Sequence, residues 1–271
     1  MKYLIASLLA ALTLSGTAQA RSLEDVQSSG TLTVAVYKDF APFSDEQKGI
    51  DVDIAKALAE RLGVKVSFLP FDADESMDDD LRNMVWRGTL LGYGPADVML
   101  HVPTEPMFAN RNEEVKIFGA YFRDTLQIAR NLERVPELRD MGVLDNEPVG
   151  VEIDSMGSSL LATPFGGHRA NDIHHYEDMN EAFSDLKAGK ISAVLSLGSQ
   201  AQAAMSQAEG FRVEIAPLPG RVPPAGWEFG LAVKSEFEDL AGALDEAIAE
   251  MAADGTLDRI FAEHGVKRLA P

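Results

Sequence analysis

Residues 31–62 read TLTVAVYKDFAPFSDEQKGIDVDIAKALAERL and combine a strand, a loop and a helix. The β-rich run 32–36 predicts the strand. Apolar residues then recur at helical spacing from Val52 to Leu62, and Gly63 ends the helix. The alternation continues with a predicted strand at 64–69, a helix near 81–86 and a strand at 97–102. This β-α-β-α-β order is typical of a parallel α/β sheet.

A second α/β unit is predicted from about residue 125. Its elements are predicted strands at 148–153, 173–176 and 191–197, and helices near 155–161 and 179–186. Extended runs at 121–129 and 227–233 lie before and after this unit. Two helices, broken near Gly255, end the chain and are expected to pack on the first unit because they have no strands of their own. The predicted fold class is α/β, with two lobes, two hinge crossings and a cleft between the lobes.

The first twenty residues have the parts of a secretory signal peptide. Lys2 precedes a short apolar run, and Ala18-Gln19-Ala20 is a small-x-small exit. The apolar run is too short to span a bilayer, which takes roughly 20 residues. We predict cleavage after Ala20 and a periplasmic protein without membrane insertion. The predicted division is a signal peptide at 1–20, a discontinuous first lobe at 21–124 and 221–271, and a second lobe at 125–220.

The composition limits the classes of partner. The chain has 43 acidic and 24 basic residues, and its formal net charge of −19 disfavours nucleic acid and anionic lipid surfaces. It has no cysteine, which excludes disulfides and thiolate metal sites. No metal or cofactor is predicted, and the protein is expected to be a monomer.

An acidic segment, residues 72–80, places six carboxylates in nine positions. A calcium loop of the EF-hand type needs Gly at its sixth position and Glu at its twelfth, and here these are Met77 and Asn83. We therefore expect a solvated acidic loop. Such a surface would attract a basic protein partner over long range.

Several residues near the predicted cleft are candidate ligand contacts. Ser155 lies at a predicted helix N-terminus and either binds polar ligand oxygens or caps the helix. His101 and Thr104 follow the third strand, where a core histidine is the alternative to a ligand role, and Phe43 is an aromatic wall or core residue. The full set of candidate ligand-binding residues is Tyr37, Phe43, His101, Thr104, Arg111, Ser155 and Ser196.

Seven short motifs occur in an order and spacing that cover most of the chain. They are Gly30-Thr31-Leu32-Thr33-Val34-Ala35-Val36, Pro42-Phe43-Ser44, Gly49-Ile50-Asp51-Val52-Asp53-Ile54-Ala55, Ala96-Asp97-Val98-Met99, Pro148-Val149-Gly150-Val151, Leu186-Lys187-Ala188-Gly189 and Ala253-Asp254-Gly255-Thr256-Leu257. Together they resemble the family 3 bacterial extracellular solute-binding proteins, which have the type 2 periplasmic-binding fold. The resemblance implies two lobes that close on a small ligand.

The chain departs from the amino-acid binders of this family at the ligand clamp. These binders typically carry Thr-x-x-Arg after the third strand, and the Arg holds a carboxylate. Here Thr104 is followed by Glu105-Pro106-Met107, and the first arginine is Arg111. The aspartates usual near the last second-lobe strand fall on Ser192 and Ser196. Because a bidentate Arg–carboxylate contact is a major source of specificity, we expect a ligand other than an amino acid.

One branch of the family also lacks this clamp and resembles the chain over 79–88 and 95–103. It accompanies periplasmic quinoprotein (methanol-type) dehydrogenases and their cytochromes. The resemblance implies an accessory factor without catalysis, whose partner is a dehydrogenase or a cytochrome. Two alternatives stay open: a receptor that delivers a small polar solute to an ABC permease, and an enzyme like the cyclohexadienyl dehydratases, with Asp154 or Glu228 as acid/base.

Overall fold

The protein, seen in a computed structural model, is described at residues 20–162, 170–206, 212–219 and 226–271. The predicted signal peptide therefore lies outside the described residues except for Ala20. The described strands are β1 (Thr31–Tyr37), β2 (Asp39–Phe40), β3 (Ser44–Asp45), β4 (Lys65–Phe71), β5 (Val98–Pro103), β6 (Val115–Asp124), β7 (Leu126–Asn131), β8 (Pro148–Glu152), β9 (Asp172–Tyr176), β10 (Ala193–Leu197), β11 (Val213–Pro217) and β12 (Trp227–Lys234). The described α-helices are α1 (Leu23–Ser29), α2 (Ile50–Arg61), α3 (Met77–Leu81), α4 (Pro106–Arg111), α5 (Met156–Ala162), α6 (Met179–Lys187), α7 (Gly198–Met205), α8 (Glu238–Ala253) and α9 (Thr256–Glu263). A π-helical turn at Arg82–Trp86 continues α3, and a 3₁₀ turn lies at Met141–Leu144.

The first sheet has the strand order β4-β1-β5-β12-β6. Strand β1 pairs in parallel with β4 and β5, whereas β12 is antiparallel to both β5 and β6. Leu32, Val34 and Val36 of β1 lie in one hydrophobic cluster, and Ala35 lies in another on the opposite face. Burial on both faces is expected for a strand that is covered by helices on two sides.

The two C-terminal helices pack on this first sheet, as the sequence predicts. Leu244 of α8 and Phe261 of α9 lie in the same cluster as Ile54 of α2, and all three side chains have no exposed surface. The chain thus returns to its first sheet through β12 and covers it with its last helices. The first hydrophobic core is therefore built from both ends of the described chain.

The second sheet has the order β11-β7-β10-β8-β9. Strands β8, β9 and β10 are parallel, and β7 is antiparallel to both β10 and β11. Helix α6 covers one face through Phe183 and Leu186, and the other face packs Val149 and Leu195 beneath α5. The α/β fold class predicted from the sequence is confirmed.

The predicted extended run at 121–129 is two strands in different sheets. Strand β6 ends at Asp124 in the first sheet, and β7 begins at Leu126 in the second, so Thr125 joins them. Asp124 is buried and accepts hydrogen bonds from the backbone N–H of Thr125 and from the hydroxyl of Ser199 on α7. Burial raises the pKa of Asp124, and these hydrogen bonds oppose that rise. The other crossing lies between β11 and β12, and Gly226 at its end has a φ of 144°.

Glycine at 226 is required by space as well as by backbone angle. A Cβ atom there would lie 2.2 Å from the carbonyl oxygen of Asp124. Real Cβ atoms do not approach oxygen so closely, and only glycine adopts this φ readily. The two crossings therefore touch each other at a point where a side chain cannot fit. Among the described residues, no helix is long and apolar enough to cross a membrane.

Candidate functional site

Two adjoining cavities lie between the residues of the two sheets and share Glu152. The larger, of about 480 Å³, has the β2–β3 hairpin on one side and the start of α6 with α7 on the other. The smaller, of about 320 Å³, is lined by Pro103, Trp227 and Phe229 of the first sheet and by residues around the start of α5. We call these two cavities together the cleft. Its position beyond the carboxyl ends of β1, β8 and β10 is where α/β sheets bind ligands.

Five carboxylates line the larger cavity: Asp39, Asp45, Glu152, Glu177 and Asp178. None of them forms a salt bridge with a described residue, and the described lining of both cavities contains no Lys, Arg or His. Burial raises the pKa of Glu152, and a hydrogen bond donated by the side chain of Gln200 opposes that rise. The cleft is therefore negatively charged and suited to a cation.

Aromatic side chains from the β2–β3 hairpin and from β12 form one wall of the cleft. Phe40 lines the larger cavity, and Trp227 and Phe229 line the smaller one. The ring of His101 supports this wall from behind, with its centroid 4.1 Å from Phe229 in a stacked arrangement and 4.8 Å from Phe40 edge to face. Aromatic faces attract cations, which adds to the effect of the carboxylates.

A buried polar network fixes His101. Its ring Nδ1 lies 3.2 Å from Asp51 Oδ2, and its backbone N–H donates to the Tyr121 hydroxyl, which itself donates to Asp51 Oδ1 at 2.6 Å. His101 has a φ of 60°, a conformation that is rare for a residue with a side chain. Burial raises the pKa of Tyr121, so its hydroxyl stays protonated and can donate. The described structure thus places His101 in the core behind the cleft wall.

Three other predicted site residues line cavities. Ser155 and Ser196 line the smaller cavity of the cleft, whereas Thr104 lines a separate hinge-side cavity of about 340 Å³. Ser155 also caps α5, because its Oγ accepts from the backbone N–H of Ser158 at 3.0 Å. The two interpretations of Ser155, capping and cleft lining, therefore hold together. Ser196 donates its hydroxyl to the carbonyl of Leu197.

The remaining three predicted site residues do not line the cleft. Phe43 is fully buried and packs on the ring of His101. The hydroxyl of Tyr37 donates to Asp80, outside both cavities. Arg111 lies on α4, where its guanidinium binds Asp78 at 3.1 Å and covers the ring of Phe108. The structure therefore gives no support to Arg111 as a substitute for the missing carboxylate clamp.

The acidic segment is only partly solvated, which corrects the prediction for it. Asp80 is 3% exposed and accepts from the Tyr37 hydroxyl and from the backbone N–H of Asp74. Burial raises its pKa, and these two hydrogen bonds oppose that rise. Asp79 pairs with Arg82 and Asp78 with Arg111. Within the described residues, no group of three or more His, Asp or Glu side chains has the geometry to hold a metal ion.

Sequence reasoning missed Phe40, Glu152 and Trp227 as cleft residues. Phe40 lies three residues beyond the end of β1, Glu152 ends β8 and Trp227 begins β12. For Phe40 and Glu152 the available signal was a position at or beyond the carboxyl end of a parallel strand, where ligands bind in this type of sheet. The same kind of position predicted Ser155, whereas Ser196 was predicted from the family resemblance. Trp227 begins the antiparallel strand β12 and has no such signal.

Two α/β sheets that are joined by two crossings and enclose a cleft define the class of two-lobed binding proteins. The family model described as "Bacterial extracellular solute-binding proteins, family 3" matches residues 32–84. The segment that it matches contains β1, the β2–β3 hairpin and α2. The predicted resemblance to this family is thus confirmed, and the matched segment covers about a fifth of the chain.

Characterised proteins are similar over most of the chain. It is 24% identical over 265 residues to the L-cystine-binding protein TcyJ of Escherichia coli (strain K12), covering 96% of this chain and 92% of that protein. It is 23% identical to the histidine-binding periplasmic protein of Salmonella typhimurium (strain LT2), with 82% of each chain covered. These relatives are named as amino-acid binders, and neither is named as a partner of a quinoprotein dehydrogenase.

A solved structure supports the fold. An ancestral cationic amino-acid solute-binding protein superposes with a TM-score of 0.70 at 21% identity, covering 90% of this chain and 99% of that one. Another structure of this ancestral protein is described as a precursor of cyclohexadienyl dehydratase. At this level of identity the likeness establishes the two-lobed type 2 periplasmic-binding fold, as predicted.

Proposed function

We propose that this protein is the substrate-binding component of an ABC importer and that it captures a small organic cation in the cleft. The observation that carries the proposal is the charge of the larger cavity, whose described lining has five carboxylates and no basic side chain. The names of similar proteins support a cationic ligand, because they include a histidine-binding protein and a cationic amino-acid-binding protein. The partner would be the importer's membrane permease.

A periplasmic location completes the proposal. The predicted cleavage would make Arg21 the first residue of the mature chain. The Arg21 guanidinium is bound by buried Asp97 through two contacts of 2.9 and 2.6 Å, and it also donates to the carbonyl of Thr31. A chain that begins at Arg21 would therefore keep its first side chain anchored to the first sheet. The intact mass of the protein isolated from the periplasm tests this cleavage site.

The two rival functions have less support in the cleft. For a dehydratase, Asp154 is exposed and lines neither cleft cavity, and Glu228 lies in the hinge-side cavity with Arg123 at 3.9 Å. For a dehydrogenase accessory, Asp78, Asp79 and Asp80 of the acidic segment are bound within the protein. The accessory role rests on the sequence resemblance alone.

A ligand panel followed by thermal unfolding tests the proposed function. Cations such as L-lysine, L-arginine and cadaverine are compared with L-glutamate and succinate. A ligand at 100 times its dissociation constant stabilises the folded state by about 2.7 kcal/mol, which is readily seen as a shift in melting temperature. We expect at least one cation to stabilise the protein and the anions to have no effect. Stabilisation by the anions alone would contradict the proposal, as would loss of the gene without loss of uptake of the bound cation.

A further inference from the structure

The negative charge of the cleft opposes the binding of any ligand that carries a carboxylate. Asp39 and Asp45 lie on one side of the larger cavity, and Glu152, Glu177 and Asp178 lie on the other. A carboxylate placed among them would be repelled from both sides. No described lining residue of the cleft supplies a compensating cation, and like charges brought together without one oppose binding strongly.

The described arginines near this part of the molecule are already paired. Arg111 binds Asp78 on the acidic segment. Arg123 lines the hinge-side cavity, where its charge is offset by Glu228 at 3.9 Å. Neither arginine lines the cleft. Among the residues that the structure describes, the cleft lining therefore includes carboxylates that would recognise an ammonium group and no Arg or Lys that would hold an α-carboxylate.

The apolar lining of the cleft fits an extended hydrocarbon chain. Phe40, Pro42 and Phe183 lie among the carboxylates of the larger cavity, and Trp227 and Phe229 wall the adjoining one. Methylene groups pack against such surfaces, and a cationic end group gains further from an aromatic face. Carboxylates on opposite sides provide for one cationic group at each end of a ligand.

We propose that the ligand is an organic dication without a carboxylate, such as an alkyl diamine or an aminoguanidine. This inference rests on the proposed function and specifies the substrate class of the same cleft. One cationic end lies against Asp39 and Asp45 of the β2–β3 hairpin, and the other lies against Glu152 at the end of β8 and Asp178 at the start of α6. A dication held in this way neutralises the carboxylates on both sides of the cleft. It therefore removes the repulsion that opposes bringing the two sides together.

Two ligand pairs that differ by one carboxylate test the inference. Cadaverine is compared with L-lysine, and agmatine with L-arginine, by isothermal titration calorimetry on the mature protein at low salt. We expect each amine to bind at least about 10-fold more tightly than its amino acid, which corresponds to about 1.4 kcal/mol. If an amino acid binds as tightly as its amine, the inference is wrong and the proposed function stands. If none of the four binds to the folded protein, the inference is overturned.

Single substitutions identify the carboxylates that make the contact. Asp45→Asn and Glu152→Gln should each weaken cadaverine binding several-fold, because each removes one charge from the larger cavity. Glu75→Gln is the matched control, since this exposed residue of the acidic segment lies outside the cleft and should leave the affinity unchanged. Melting temperatures of the free variants confirm that they are folded. Equal affinities of all three variants and the parent protein would contradict the proposed contacts.

Discussion

The acidic segment and the cleft are both rich in carboxylates, but these carboxylates differ in whether they form salt bridges within the protein. In the acidic segment, Asp72 pairs with Lys38 at 2.6 Å, and Asp78 and Asp79 pair with arginines. In the cleft, none of the five lining carboxylates forms a salt bridge with a described residue, although Glu152 accepts a hydrogen bond from Gln200 and Asp178 caps α6. Three of the six carboxylates in the densest acidic stretch of the sequence are thus paired with basic side chains, whereas none of the five cleft carboxylates is paired with a described one.

This difference separates structural carboxylates from those available to a ligand. A carboxylate with a protein partner contributes to folding, and its removal leaves that partner unsatisfied. A carboxylate that has no cationic partner is repelled by neighbouring carboxylates, and its interaction energy becomes more favourable when a cation binds. Substitutions in the acidic segment should therefore lower the stability of the protein, whereas substitutions in the cleft should weaken ligand binding.

The largest effect is expected for Asp80→Ala. This change leaves the Tyr37 hydroxyl and the Asp74 backbone N–H without their acceptor. Because buried donors that lose their partner cost about 1–3 kcal/mol, we expect the free energy of unfolding to fall by about 2 kcal/mol. Urea denaturation measures this change.

Glu75→Ala is the control for that experiment. Glu75 is exposed in the same segment, so its removal should change stability by less than about 0.5 kcal/mol. If the two variants were equally stable, Asp80 would not be a structural carboxylate and the contrast between the two regions would fail.

The order of strands and helices was predictable because apolar periodicity is a local property. Strands β1, β5, β8 and β10 and helix α6 were all predicted close to where they lie. Helix α7 was missed, because its residues are small or polar and it follows β10 without a break. The crossing at Thr125 was hidden for a similar reason, since both flanking strands have the same extended pattern.

The cleft was less predictable because its charges come from distant segments. Asp39, Glu152 and Asp178 are separated by long stretches of chain and meet only when the two sheets are in place. No local pattern marks them. The acidic segment attracted attention for the opposite reason, since its charges are adjacent in the sequence. The local density of charged residues in the sequence therefore predicted neither the hydrogen-bond partners of Asp80 nor the position of the cleft carboxylates.

A smaller effect is expected when pH changes the charge of the cleft. Burial raises the pKa of Glu152, and its hydrogen bond from Gln200 opposes that rise. As the pH falls from about 7 to about 5, Glu152 therefore begins to lose its charge earlier than an ordinary Glu, whose pKa is about 4.3. Because the ionised form of Glu152 attracts a cation, the affinity for cadaverine should fall as the pH is lowered, and the fall should begin at a higher pH than for a site with an ordinary Glu.

Calorimetric titrations of the parent protein and of Glu152→Gln at several pH values measure this dependence. The substitution removes the titrating group, so the affinity of the variant should be lower at neutral pH and should change less with pH. A variant profile as steep as that of the parent protein would assign the pH dependence to other groups in the cleft.

The smallest effect concerns the stability of the ligand-free protein. Asp45→Asn removes one of five like charges that line the same cavity without a salt bridge to a described residue, so it should raise the melting temperature by about 1–2 °C. Asp72→Asn removes the partner of Lys38 and should lower it slightly or leave it unchanged, because exposed salt bridges contribute little. Both shifts should shrink at about 0.5 M salt, where the Debye length falls below roughly 5 Å. If Asp45→Asn lowered the melting temperature at low salt, its carboxylate would have a partner within the protein, and the cleft would no longer differ in kind from the acidic segment.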